Sequence, residues 1–350
     1  MRVDFFVENH MGHRTQLENW RTHWPDREAP IRWWPVEVPK QRRGFGPLFP
    51  VRLGIAARKT AHDASLDGLT VAHTQWVALG LRRARRLVVS TDATSAAFAR
   101  ADVRPQHRRS RLRRAGGALL NREALRVLHH AQLVIAQSSW TADIMMTVEG
   151  VDPGQIQVIS PGVALPSPRE GASGCCTSGL RLLFVGYDFE RKGGEILLDW
   201  ARRSLHLRPN ARLDIVSPSA PSDVAGGPVH VHRSLSPGSD ELVGLLAAAD
   251  VFVLPTLQDI GPMSILEAMA HGVPVVAPRL GAIPEFLEDG RSGFLHAAGD
   301  AQSFAQTMDN VLDDHARRKE IGAAARRRIE KSHDIRTQTT SLSQVLAGLV

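Results

Sequence analysis

The chain has 350 residues, more than one hydrophobic core ordinarily organises, so two domains are expected. With 43% hydrophobic and 23% charged residues it has a globular composition, which excludes a disordered or fibrous chain. The formal net charge is +7, and the basic excess belongs to residues 1–167 alone, concentrated in Arg82-Arg83-Ala84-Arg85-Arg86 and from Arg104 to Arg114.

Such a surface is either plain solvated arginine or an attractor of anionic lipid headgroups or a phosphorylated acceptor. No nucleic-acid-binding module accompanies it, so nucleic acid is not an expected partner. The opening run Val3 to Val7 is broken by Asp4 and is too short for a signal segment. No stretch approaches the roughly 20 apolar residues of a membrane span. A cytoplasmic protein is expected, with peripheral attachment at the inner membrane face as the corollary of the basic half. Cys175 and Cys176 are neighbours. Their Cα atoms lie ~3.8 Å apart, under the ~4.4 Å lower edge for ordinary disulfides, which predicts two free thiols.

In chain order, Val3-Asp4-Phe5-Phe6-Val7 predicts an opening strand that leads into the loop Asn9-His10-Met11-Gly12-His13. Leu87 to Ser90 and Leu133 to Ala136 read as buried parallel strands, apolar on both faces. Ser139-Trp140-Thr141 then caps a helix, and Ile156 to Ile159 with Pro161-Gly162 closes the first domain. Ala164 to Gly179 is rich in Pro, Ser and Gly and reads as a linker. Strands follow at Leu180–Gly186, Arg212–Val216, Asp250–Pro255 and Val273–Ala277, with helices at Asp240–Ala248 and Ser264–His271. The alternation predicts α/β architecture with doubly wound parallel sheets. The expected division is 1–167, 168–332, and a C-terminal helix over 333–350 that crosses back to the first domain.

The segment Pro255 to Gly272 carries the chemistry. A strand ends at Pro255, a loop crosses the sheet's edge, and a helix starts near Pro262, where proline suits a first turn and Gly272 the far end. The helix N-terminus at Gly261-Pro262-Met263-Ser264 offers free N–H groups and a positive dipole end, a setting for phosphate. Two carboxylates frame it, Asp259 in the loop and Glu267 on the helix. Carboxylates accept from paired sugar hydroxyls, so one acid can hold a hexose and the other a ribose. The alternative is that Asp259 caps the helix and Glu267 is solvated.

The run Asp259-x7-Glu267-Ala-Met-Ala-His-Gly-Val-Pro-Val-Val-Ala, then Gly281-Ala282-Ile283-Pro284-Glu285 and Asp289-Gly290-Arg291-Ser292-Gly293-Phe294-Leu295, resembles the donor half of family 4 glycosyltransferases. Phe184 to Gly194 is similar to that family's strand-turn with a cation pair for the donor diphosphate, Lys192 standing at the family lysine. Ser138-Ser139-Trp140, Gly150-Val151 and Val158 to Val163 are similar to its segment before the linker. The N-terminal likeness is looser, resting on Met11-Gly12 and on Val88 to Thr94. Two positions depart from the pattern: the first family glutamate is Asp259, and the arginine after the strand's glycine is replaced by Tyr187, for which Arg191 is the substitute at hand.

The resemblance implies the GT-B architecture, two Rossmann-like doubly wound domains facing a central cleft, and a retaining, metal-independent transferase that uses a nucleoside diphosphate sugar. It places Asp259, Glu267, Lys192 and His73 in catalytic roles. Gly12, Arg191, Lys192, Gly261, Pro262, Met263, Ser264 and Glu267 are expected at the donor, Asp259 facing the sugar and Glu267 the ribose. His10 and His13 compete with His73 for the histidine at the donor sugar and otherwise belong, with Asp92, to the acceptor side. No cofactor or metal is expected, since no Asp-x-Asp loop and no His/Cys cluster with ligand spacing occurs. The acceptor is left open between a lipid-linked molecule, a glycan and a secondary-metabolite precursor. Two other readings remain, a sugar-nucleotide epimerase of related fold and a noncatalytic sugar-nucleotide-binding subunit.

Overall fold

The computed structural model describes residues 2–9, 12–26, 30–37, 49–64, 66–104, 111–166, 179–208 and 210–349. His10, Arg108, Arg109, Cys175 and Cys176 lie outside them, as do the side chains of Asp63 and residues 111–117. By compactness the chain divides into two units. One is Met1–Arg100, Pro105–Gly162 and Ile335–Val350; the other is Ala101–Arg104 and Val163–Asp334.

The first unit runs β1 (Val3–Glu8), α1 (Gly12–His23), β2 (Ile31–Val36), α2 (Phe49–Thr60), β3 (Leu69–His73), α3 (Gln75–Ala78), β4 (Arg86–Thr91), α4 (Ser95–Arg100), α5 (Arg111–His130), β5 (Leu133–Ala136), α6 (Ser139–Thr147) and β6 (Ile156–Val158). Its strands form one sheet, β2-β1-β3-β4-β5-β6, parallel throughout. Successive strand residues point to opposite faces. Phe6, with Leu53, Val89, Leu128 and Met145, therefore builds one core layer, and Phe5, with Trp20, Val71 and Val88, builds the other. Residues Ile335, Leu342 and Leu346 of the last helix complete that second layer.

The second unit runs β7 (Arg181–Val185), α7 (Gly194–Ser204), β8 (Arg212–Val216), β9 (Val229–His232), α8 (Asp240–Ala248), β10 (Val251–Val253), α9 (Met263–Ala270), β11 (Val275–Pro278), α10 (Ile283–Phe286), β12 (Phe294–His296), α11 (Ala301–Asp313) and α12 (His315–Ser332); α13 (Ile335–Ala347) then joins the first unit. Its sheet, β12-β11-β10-β7-β8-β9, is again all parallel. That is the dinucleotide-binding strand order, while the first unit follows the flavodoxin-like order. Both are doubly wound, the GT-B kind of fold.

Strand order decides where ligands sit. In open parallel sheets they bind outside the carboxyl ends, where the winding direction reverses. In the first unit that point lies between β1 and β3, and in the second between β7 and β10. Glu8 and His73 end the first pair of strands. The turns after Val185 and Val253 leave the second pair.

Candidate active site

The turn between β7 and α7 brings two cations to the reversal point of the second unit. Its amides close on themselves, Lys192 N donating to the Asp188 carbonyl at 2.9 Å and Gly194 N to Phe189 at 2.8 Å. Gly193 has φ 77°, and a Cβ there would come 1.9 Å from the Pro255 carbonyl oxygen, so only glycine lets this turn lie on the loop after β10. The Leu257 amide donates to the Arg191 carbonyl at 2.9 Å and ties the two loops together. Arg191 Nη1 donates to the Gln258 carbonyl at 2.7 Å and stands 4.0 Å from Asp259 Oδ2, while its Nε is 3.5 Å from Asp188.

Lys192 Nζ pairs directly with Asp259 Oδ2. Thr256 Oγ1 donates to the same oxygen at 3.3 Å and the Ile260 amide to Oδ1 at 3.2 Å. Both members of the pair are 11% exposed at the side chain. Burial pulls the Lys192 ammonium below the usual lysine range and the Arg191 charge adds to this, with Asp259 opposing. The site thus holds cations that a second anion can stabilise.

The loop carrying Asp259 is braced from two sides. The Val103 amide donates to the Leu257 carbonyl at 2.9 Å, and Arg104 donates to Asp102 and Gln258 side chains at 2.8 and 2.5 Å. Gly281, at φ 56°, presses on the other side, where a Cβ would come 2.6 Å from the Asp259 carbonyl, and the Ala282 amide donates to Ile260 at 2.8 Å. Asp259 does not cap α9: Pro262 holds the N-cap position and no side chain caps the helix. Among the described residues no group accepts from the amides of Met263 and Ser264. One turn further on, the half-buried Glu267 has no hydrogen-bond partner for its carboxyl among the described residues. Burial pushes its pKa up to about 7, and with the side chain half-buried Glu267 is not a fully solvated helix residue.

At the first unit's reversal point stands a polar group of different character. His13 Nδ1 and His73 Nε2 lie 2.9 Å apart, so one ring donates and the other accepts. His73 is 1% exposed and meets the Trp20 ring edge-on at 5.1 Å. Burial first, then the His13 charge, hold it well below the usual histidine range, the Ser90 carbonyl opposing weakly while Nδ1 completes no hydrogen bond. Thr74, directly after it, has a positive φ of 84°, a strained conformation for a β-branched residue. Glu8 is buried beside them and its carboxyl is raised by burial, with His13 lowering and Asp92 raising it. Gly12 opens α1, and Asp92 follows β4 with its carbonyl accepting from Thr141 at 2.8 Å.

Residues 179–314 match the family described as Glycosyl transferases group 1. The second unit is a group 1 glycosyltransferase domain. The match contains Arg191, Lys192, Asp259 and Glu267 and bears out the likeness read from the motifs. Among curated relatives, D-inositol 3-phosphate glycosyltransferase of Corynebacterium diphtheriae is 30% identical over 216 residues, covering 55% of this chain and 50% of that protein. The chain spans about half the length of the curated relatives it matches. Two solved structures share the fold along the whole chain. Sucrose-phosphate synthase from Thermosynechococcus elongatus has a TM-score of 0.77 at 17% identity, covering 100% of this chain and 99% of that one. HepE from Anabaena, solved in complex with UDP-glucose, has a TM-score of 0.68 at 20% identity, covering 99% of this chain and 100% of that one.

The glycosyltransferase domain thus brings Lys192, Arg191 and Asp259 together, with Gly261 to Ser264 leading into the helix that carries Glu267. His73, grouped with them in the sequence as catalytic, belongs to the first unit with His13. Sequence reasoning missed Glu8 because it ended the first strand at Val7. The available signal was a single acid directly after five strand residues. It also missed Gln258, whose carbonyl holds Arg191. Among the described residues no group of three or more His, Cys, Asp or Glu side chains could hold a metal ion, and no helix is long and apolar enough to cross a membrane. Of the basic run, Arg82 pairs with Glu123 at 2.8 Å, while Arg83 and Arg85 are exposed.

Proposed function

We propose that the protein is a retaining glycosyltransferase that moves a sugar from a nucleoside diphosphate sugar to an acceptor. The observation that carries this is the Lys192–Asp259 pair with Arg191 beside it, in the loops ahead of an uncapped helix whose Glu267 carboxyl has no partner among the described residues. Cations and free N–H groups suit the diphosphate, and the lone carboxylate suits the ribose hydroxyls. Asp259 is positioned to trade Lys192 for the donor, its carboxylate then turning to the sugar. As the glycosidic bond breaks, negative charge gathers on the leaving diphosphate, and Lys192, Arg191 and the amides of α9 stabilise it. The acceptor hydroxyl attacks the anomeric carbon on the face the phosphate leaves, and its proton passes to a phosphate oxygen. That route retains configuration and asks for neither a carboxylate nucleophile nor a divalent ion.

The first unit is assigned the acceptor, with His13, His73 and Asp92 at its sheet's reversal point. Its basic surface and the names of relatives that act on inositol 3-phosphate support an anionic acceptor, and the exposed Arg83 and Arg85 support contact with anionic membrane. Thermal-shift titration with UDP, GDP and ADP, followed by donor hydrolysis and transfer assays of wild type and Glu267→Ala, tests the reading. Transfer lost in Glu267→Ala is the expected result. Tight nucleotide binding by the wild type with neither transfer nor hydrolysis would leave a binding subunit instead. Sedimentation with phosphatidylglycerol vesicles tests the membrane contact, with loss of binding in Arg83→Gln/Arg85→Gln expected.

A further inference from the structure

We propose that the first unit carries a second small-molecule site, a cavity of about 300 Å³ among α3, α4, α5 and α6 that takes an organic cation with an apolar body, such as a primary alkylammonium. Its volume reaches the lower end of ordinary ligand pockets. Its walls combine apolar side chains, among them Ala99, Leu125 and Leu128, with the polar groups of Gln75, Thr94, Ser95, Asn121 and Glu149. None of His13, His73, Glu8 or Asp92 lines it, so it is separate from the cluster at the sheet's reversal point.

Glu149 decides the class of ligand. Its Oε1 accepts a long hydrogen bond from the Ala96 amide at 3.4 Å, the Thr94 hydroxyl stands near the carboxyl, and its Oε2 is buried and completes no hydrogen bond. A buried acid oxygen in that state is costly until a proton or a cation meets it. No lysine or arginine pairs with Glu149 among the described residues. The neighbouring His129 uses its Nε2 on the Glu149 backbone carbonyl at 3.1 Å. Burial raises the acid above the usual carboxylate range, with the Thr94 hydroxyl, the Ala96 amide and His129 opposing, so a bound ammonium would favour the ionised form that burial disfavours. Gln75 is already fixed, its Oε1 accepting from Thr91 at 3.1 Å, which leaves its NH₂ group for the ligand or for water. The apolar walls suit a short alkyl chain and reject a second charge.

Isothermal titration of the full chain with hexylamine hydrochloride, and with hexan-1-ol as the uncharged isostere, tests the site. Saturable binding of the amine is expected, at least tenfold tighter than the alcohol. Glu149→Gln should weaken the amine about tenfold and leave the alcohol unchanged. Ala99 is exposed on the cavity wall, so Ala99→Phe should abolish both without disturbing the core, with circular dichroism and the melting temperature checking the fold of each variant. Equal binding of amine and alcohol, an unchanged amine affinity in Glu149→Gln, or no saturable heat with the wild type overturns the proposal.

Discussion

Lys192 and Asp259 are held against each other where the turn after β7 meets the loop after β10, each with only 11% of its side chain exposed. A pair so enclosed contributes little net stability while intact, but removing one partner strands a buried charge and costs about 3–5 kcal/mol. Asp259→Asn should therefore lower the melting temperature markedly. Adding Lys192→Met should restore much of that loss, since replacing both charges with groups of similar volume is often neutral. Neither variant should bind nucleoside diphosphate as the wild type does. Calorimetric melting of the two variants checks this, and equal stability of single and double variants would show that the pair is not buried in solution.

Glu267 makes a pH-dependent prediction whose sign follows from its surroundings. Its carboxyl is raised from 4.5 to about 7, so the protonated form is favoured in the fold. The associated stability is full below the unfolded value and is lost as pH rises through about 7. Glu267→Gln should flatten that loss, becoming relatively more stable than the wild type at pH 8. Donor binding runs the other way, because ribose hydroxyls donate best to the ionised carboxylate. Nucleotide affinity of the wild type should rise from pH 6 to 8, while Glu267→Gln shows no such rise and binds roughly 10- to 100-fold more weakly, as the loss of charged hydrogen bonds of about 1.5–3 kcal/mol requires. Titration calorimetry across that range decides it.

Much of this arrangement was legible in the sequence, for reasons that differ by element. Val251 to Val253 and Leu182 to Phe184 are apolar on both faces because helices cover both, so their runs stand out as buried parallel strands. Asp240–Ala248 was readable because Ser239 caps it, accepting from the Leu242 amide at 3.4 Å, and acids fill its first turn. The edge strands β2 and β12 were not readable. β2 contains Pro35, which donates nothing to a ladder and is tolerated only because β2 is an edge, and β12 has just three residues. At the site, spacing gave Asp259 and Glu267 as a pair but not their different surroundings. Asp259 is bound up with Lys192, 67 residues earlier in the chain, which no local pattern encodes, whereas Glu267 is left without a partner among the described residues.

His73 should stay neutral where an ordinary histidine begins to charge. Its ring is enclosed and held well below 6.5, so stability linked to it is present above that value and falls as pH drops further. At pH 6.5 nitrogen-detected NMR should show a single neutral tautomer for His73, with the proton on one side of the contact to His13. His73→Phe keeps the ring against Trp20 and should retain the fold. The same variant should lose transfer if the histidine contact serves the reaction. An imidazolium signal from His73 at pH 6.5 would refute the enclosed geometry.

Two glycines with the same backbone conformation separate strain from displacement. Gly193 has φ 77° and Gly238 has φ 74°, so alanine at either pays the left-handed penalty of about 1–2 kcal/mol. Around Gly238 a Cβ meets nothing within 4 Å, whereas at Gly193 it would come 1.9 Å from the Pro255 carbonyl oxygen. Gly238→Ala should therefore lower the melting temperature by roughly 2–8 °C, at 2–4 °C per kcal/mol for a unit of this size, and leave nucleotide binding intact. Gly193→Ala must in addition push the turn away from the loop after β10. Lys192 and Arg191 ride on that turn, so their distances to Asp259 open with it. A larger fall in melting temperature is expected, together with at least tenfold weaker nucleotide affinity. Equal affinities for the two variants would mean that the close seating of the turn on Pro255 does not position the cations.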